Sequence, residues 1–167
     1  MASAAPELLS IRAASEHDVA LILSFIRKLA EYEKLSHEVV ATEDGLRHYL
    51  FGERPMAEVS LAYWADEAVG FALFFHNFST FLGRPGIYLE DLFVNPEHRG
   101  KGIGKALVVH LARLAMERRC GRLEWAVLNW NEPSIRFYRN LGAIGKDDWT
   151  IYQVTGEGLQ WLAEARG

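Results

Sequence analysis

The chain has 167 residues, half of them hydrophobic and 24% charged, with a formal net charge of −4 and one cysteine. That length suits one domain with a real core. The acidic balance argues against nucleic acid or an anionic membrane as partner. A lone Cys120 excludes an intramolecular disulfide and a cysteine-rich zinc site, and fits a reducing compartment. The opening stretch lacks a basic region followed by an apolar core, and no apolar run approaches the roughly 18 residues of a membrane span. A cytoplasmic protein is expected.

No repeat, low-complexity tract or linker interrupts the chain, so a single domain over 1–167 is expected. Leu8 to Ala13 reads as a first strand. Ser15 and Asp18 form a capping-box pattern before Val19, Ile22, Leu23, Ile26, Leu29 and Ala30, which recur at helical spacing. Thr42 to Phe51 is a second helix. Ala57 to Ala65 and Ala68 to Asn77 are strands around Asp66-Glu67. Phe78 to Gly86 is expected to be an irregular loop. Ile87 to Val94 is an apolar strand interrupted by Glu90 and Asp91.

Beyond it, Ile103, Leu107, Leu111, Leu114 and Ala115 mark a helix that Gly121 is placed to end. Leu123, Trp125 and Val127 give another strand. Asn131 to Leu141 is a short helix stopped by Gly142, Thr150 to Val154 a last strand, and Glu157 to Ala165 a terminal helix. Strand, helix and strand from Ile87 to Leu128 form a parallel crossover, while the earlier hairpins make the sheet mixed. The expected fold class is α/β, a mixed central sheet with helices on both faces.

The stretch from Asn95 to Gly104, NPEHRGKGIG, carries the chemistry. It lacks the Gly-Lys-Ser/Thr of a phosphate-binding Walker loop, and its glycines miss the G-x-G-x-x-G spacing of a dinucleotide fingerprint. Two readings remain. One is a plain tight turn with solvated basic residues. The other is a strand-to-helix turn whose glycines let backbone N–H groups approach an anion, helped by the helix dipole and by Arg99, Lys101 and Lys105.

The flanks decide between them. Arg-x-x-Gly-x-Gly at Arg99 to Gly104, preceded by Glu90-Asp91-Leu92-Phe93-Val94, resembles the acetyl-CoA site of the GNAT N-acetyltransferases. Asn131-Glu132-Pro133-Ser134, Phe137-Tyr138 and Leu141-Gly142-Ala143 resemble the second half of that signature. Tyr88-Leu89-Glu90-Asp91, Leu29-Ala30-x-Tyr32-Glu33 and Trp130 to Ile135 are similar to the diamine acetyltransferases of the spermidine/spermine and thialysine type.

The resemblance implies acetyl-CoA as cosubstrate. It implies that Leu92, Phe93 and Val94 follow the pantetheine arm through their backbone. Arg99, Gly100, Lys101, Gly102, Ile103, Gly104 and Lys105 would hold the pyrophosphate. Asn131, Glu132, Pro133 and Ser134 would hold another part of the cofactor.

Acetyl transfer to an amine needs a base for the ammonium, a donor for the developing oxyanion and a proton for the leaving thiolate. Glu90, a carboxylate on an apolar strand, is the candidate base; partial burial would raise its pKa. Strand alternation puts Asp91 on the opposite face. Tyr138 shares a helix face with Ser134 and is the candidate acid, where the family has a tyrosine. A backbone N–H of Leu92 to Val94 would polarise the carbonyl if a bulge freed it.

Tyr32 and Glu33 resemble the branch's substrate-contacting pair. Glu124, Trp125 and Ala126 map to a strand segment lining its acceptor site. Asp148 lies in a loop, shorter here than in relatives, where an acidic contact is found. Cys120, at a helix end, reads as structural, and the six histidines show no metal-ligand spacing, so no metal is expected.

The expected activity is transfer of acetyl from acetyl-CoA to a primary amine of a polyamine or lysine analogue in a ternary complex. The rivals are a protein N-terminal or lysine acetyltransferase and a catalytically idle acetyl-CoA sensor. Family habit implies a homodimer.

Overall fold

The computed structural model describes residues 8–165. It divides into two compact units between Leu128 and Asn129. The first unit carries one sheet of β1 (Leu9–Ala13), β2 (Glu58–Trp64), β3 (Glu67–Ser79), β4 (Arg84–Val94) and β5 (Leu123–Trp125), in that spatial order. The first four strands pair antiparallel; β5 joins β4 in parallel. The mixed sheet expected from the crossover is present.

Its helices are α1 (Val19–Tyr32), α2 (Glu43–Phe51) and α3 (Ile103–Glu117). Asp18 organises the entry to α1, accepting hydrogen bonds from Ser15 N at 2.8 Å and Ser15 Oγ at 3.1 Å, with a short 3-10 turn between. Thr42 Oγ1 accepts from Gly45 N at 3.1 Å and caps α2. α1 and α2 bury Ile22, Phe25 and Leu50 against Val59, Leu61, Phe71 and Phe93 on one sheet face. Phe25 stacks on Phe71 at 5.5 Å. α3 buries Ile103, Leu107, Leu111 and Ala115 on the other face, over Ala72, Phe74, Ile87 and Leu89. Each such side chain contributes about 1.5–3 kcal/mol of burial, so both sheet faces hold helices in place.

Three elements differ from the sequence reading. The expected loop at Phe78 to Gly86 is mostly strand: Asn77 pairs Gly86, Phe78 pairs Pro85 and Ser79 pairs Arg84. Pro and Gly obscured a pairing that the neighbouring strand imposes. Gly121 does not end α3. Arg119 takes the left-handed conformation (φ 57°), with Cys120 N on Ala115 O at 2.8 Å and Arg119 N on Met116 O at 3.1 Å. Burial of Cys120 among the α3 core residues supports that strained residue and gives the cysteine its structural role. Residues Thr150 to Val154 form no strand; alternation alone does not make one without a neighbour.

The second unit holds α4 (Glu132–Asn140) and α5 (Gly156–Glu164). Asn131 Oδ1 accepts from Ser134 N at 3.3 Å, Pro133 sits in the first turn, and Gly142 at φ 87° follows the last.

Candidate active site

The site in the first unit begins with a break in a strand. Asp91 pairs Leu73 and Leu89 pairs Phe74, so Glu90 is an extra residue with no partner on β3. This bulge shifts the strand's parity. Ile87 and Leu89 face α3 before it; Leu92 and Val94 pack there after it. Tyr88, Asp91 and Phe93 consequently share the α1 face. The bulge lies before Leu92, and the segment Leu92 to Val94 pairs regularly with Ala72, Phe71 and Gly70. Regular alternation would have separated Glu90 from Asp91; the extra residue brings their charges together.

On its other edge β4 pairs β5 only from Ile87 to Leu89. Among the described residues no strand covers that edge from Glu90 to Val94. The result is a row of main-chain donors and acceptors ready for an extended ligand. It leads directly into the glycine turn.

In that turn Gly100 (φ 78°) and Gly102 (φ 80°) are left-handed, and a Cβ built on either meets nothing within 4 Å. The glycines are needed for conformation, and they leave the backbone open on its outer side. Gly102 caps α3, so Ile103, Gly104 and Lys105 present first-turn N–H groups that the helix itself does not use. A phosphate cradle fits this geometry.

The basic residues are not equivalent. The Arg99 guanidinium lies 4.8 Å from the Tyr32 ring centre and 5.5 Å from that of Phe93, and Arg99 Nε donates to Val94 O at 3.0 Å. Lys101 Nζ stands 5.1 Å over Trp64. Lys105 is exposed beside the cradle. Asn95, buried, donates its N–H to Val69 O at 2.8 Å and accepts from Lys28 Nζ at 3.1 Å through Oδ1. It ties the turn to β3 and α1.

Carboxylates gather at the bulge. Glu90 is exposed, contrary to the expected partial burial, and its neighbour Asp91 is the half-buried acid. Burial, then the charges of Glu90 and Glu33, push the Asp91 carboxyl up to about 6. Burial also raises Glu33, the residue that ends α1. Tyr88, which packs on Phe75 at 5.2 Å, is raised by burial and by Glu90 and Glu124. Glu33, Glu90 and Asp91 thus form one negative cluster beside the open edge of β4, with Tyr32 close by through Arg99. Such a cluster attracts a cation and holds a carboxylate near neutrality for proton exchange.

Other expected residues stand differently. Glu124 is engaged by Arg122 Nε at 2.9 Å and by Asn77 Nδ2 at 2.9 Å, so much of its charge is compensated. Trp125 packs with the core on the α3 side of the sheet. Ala126 is exposed just past β5. In the second unit Ser134 and Tyr138 lie one turn apart on α4. Tyr138 is half-buried, with its ring 5.1 Å from that of Phe137. Asp148 is exposed in a turn of that unit. Sequence reasoning set Asp91 aside on strand alternation, which the bulge overturns, and passed over Asn95 and Lys28. The Asn95-Pro96 pair is a turn signal for the former; nothing local marks the latter.

An open strand edge running into a left-handed glycine turn at a helix start suits an extended ligand that carries an anionic group. The chain belongs to the acetyltransferase (GNAT) family, whose model matches residues 24–143, and it is an N-acetyltransferase. It is 40% identical over 164 residues to a thialysine N-epsilon-acetyltransferase of Bos taurus, covering 92% of this chain and 96% of that one. It is 31% identical to an L-ornithine N5-acetyltransferase of Arabidopsis thaliana, covering 90% of this chain and 86% of the relative. Among solved structures, an integron cassette protein from the mobile metagenome of V. cholerae superposes with a TM-score of 0.79 at 31% identity, over 95% of this chain and 99% of that one.

Proposed function

We propose that this enzyme acetylates a primary amine of a small cationic acceptor, of the polyamine or lysine-analogue kind, by direct attack in a ternary complex. The observation that carries the proposal is the coupled cluster of Asp91, Glu90 and Glu33 at the bulge of β4. The thialysine and ornithine acetyltransferases among its relatives support an acceptor that pairs an amino-acid head with a distal amine.

Acetyl-CoA supplies an activated acetyl thioester. The main chain of Leu92, Phe93 and Val94 aligns its arm, and the turn from Arg99 to Lys105 holds its pyrophosphate. By the family resemblance, Asn131 to Ser134 hold another part of the cofactor. A lysine-like ammonium has a pKa of roughly 10.4, so only about one molecule in a thousand is uncharged near pH 7. Glu90 and Asp91 together bind the ammonium and take its proton. Asp91 joins Glu90 in the base role because its carboxyl exchanges protons near neutral pH. Tyr138 delivers a proton to the departing thiolate. Tyr32 and Glu33 receive the far end of the acceptor, with Trp125, Ala126 and Asp148 as outer contacts. Glu124 adds only the field that remains after its pairing with Arg122.

The family match runs across both units, which supports one working domain over 1–167. The free, buried Cys120 suits a cytoplasmic setting, and no helix among the described residues is long and apolar enough to cross a membrane. Exposed Trp149, Ile151, Tyr152, Trp161 and Leu162 suit burial in a homodimer.

Release of the CoA thiol with thialysine, ornithine and spermidine tests the proposal. Turnover is expected to depend on added amine, with kcat/KM higher for the amino-acid acceptors. A tenfold preference for spermidine would move the acceptor to the long polyamines. Turnover with a protein N-terminus or lysine but none of these three amines would make the chain a protein acetyltransferase. Binding of acetyl-CoA with no turnover of any amine would leave a sensor.

A further inference from the structure

His98 is an anomaly away from the reacting centre. Its ring is buried, 9% exposed, in the turn before Arg99. Nδ1 has no hydrogen-bond partner among the described residues, and Nε2 lies 3.8 Å from Glu67 Oε2, beyond hydrogen-bond reach. Buried polar atoms almost always find a partner. Here the neighbours are two carboxylates: a ligand atom each from Glu67, Glu97 and His98 lie within 4.8 Å of one another. Glu67 opens β3 at its hairpin with β2, whereas Glu97 and His98 precede the cofactor turn.

The geometry points to a divalent transition-metal site formed by an imidazole nitrogen of His98 and the carboxylates of Glu67 and Glu97. The donor set is one imidazole and two carboxylates, whose two negative charges balance a divalent ion. Imidazole selects Zn²⁺, Co²⁺ or Ni²⁺ over Mg²⁺ or Ca²⁺. Donors held at about 2.1 Å from one ion stand at most about 4.2 Å apart. The two glutamates are exposed and close that small gap by rotation, while the buried imidazole stays in place. The ion would clip the β2–β3 hairpin to the residues directly before Arg99 and stiffen the entrance to the cofactor turn. The histidine spacing that argued against a metal missed this set because Glu67 comes from a different part of the chain.

Titration of the full chain with ZnCl₂ and with CoCl₂, followed by calorimetry, visible absorption and thermal unfolding, tests it. One equivalent is expected to bind, Co²⁺ to develop a visible ligand-field band, and Tm to rise, with MgCl₂ producing none of these. Glu67→Gln and Glu97→Gln change exposed side chains and preserve the fold; each is expected to weaken Zn²⁺ binding at least about tenfold. His98→Gln should abolish it if that variant folds. Binding that does not saturate at one equivalent overturns the site, as does wild-type affinity in both glutamate variants. Acetyl transfer to amines is a separate readout, so loss of the metal site leaves the proposed function standing.

Discussion

The cofactor turn and the carboxylate cluster adjoin each other but are specified differently. The turn is local. Gly100 and Gly102 hold left-handed backbone in which a side chain of their own would be strained, and α3 begins immediately after them. The cluster is assembled from a bulge in β4, the end of α1 and a strand edge that β5 leaves open. A local motif survives changes elsewhere as long as its backbone is kept. An assembled site depends on register, and one extra residue at Glu90 decides which acids meet.

Removing the groups that act on protons tests that difference most severely. Asp91→Asn, Glu90→Gln and Tyr138→Phe are each expected to lower kcat by about 10²-fold or more while acetyl-CoA still binds. Rates measured across pH then separate the two acids. The wild-type kcat/KM should fall as pH drops below about 6, because the proton acceptor is lost when the Asp91 carboxyl protonates. Asp91→Asn should move that limb. If Glu90→Gln alone moves it, Glu90 is the base and Asp91 only sets the field. Unchanged kcat in all three variants would leave water and main chain as the catalysts.

A smaller effect should follow from the turn. Gly102→Val places a β-branched residue at φ 80° and a side chain on the open face of the cradle. Acetyl-CoA affinity is expected to fall at least about tenfold in a folded protein, with the amine's own dependence little changed. Equal affinity would reduce the turn to a structural connection.

A further effect, confined to one pH window, is on stability. The Asp91 carboxyl is pushed up to about 6 in the native state, against an ordinary aspartate value of about 3.9. Between those values the native protein keeps a proton that the unfolded chain has lost. The burial penalty therefore grows as pH rises through that window and is complete above about 6, at up to about 3 kcal/mol. Asp91→Asn should raise Tm above pH 6 and lose that advantage as pH falls toward 4. A constant difference across the range would place the carboxyl in a more solvated setting.

Much of this protein was legible in its sequence, for reasons particular residues show. Ser15 and Asp18, Thr42, the glycines before Ile103 and the cap at Asn131 act over three or four residues, so they mark the helices and the turn directly. The α/β class followed from that punctuation and from apolar periodicity, and the family resemblance from the motifs at Glu90 to Val94, Arg99 to Gly104 and Asn131 to Ser134. What only the tertiary structure decided lies where one segment's state depends on another. Phe78 to Ser79 and Arg84 to Gly86 became strand because they had each other to pair with; Thr150 to Val154 pairs with no strand among the described residues. Arg119 could hold a left-handed conformation because Cys120 is buried behind it. Asp91 became the perturbed acid because a bulge turned it toward Glu33, and Glu124 was compensated by Arg122 across an ion pair. Register, burial and charge pairing are properties of contacts between distant residues, and no local stretch of sequence contains them.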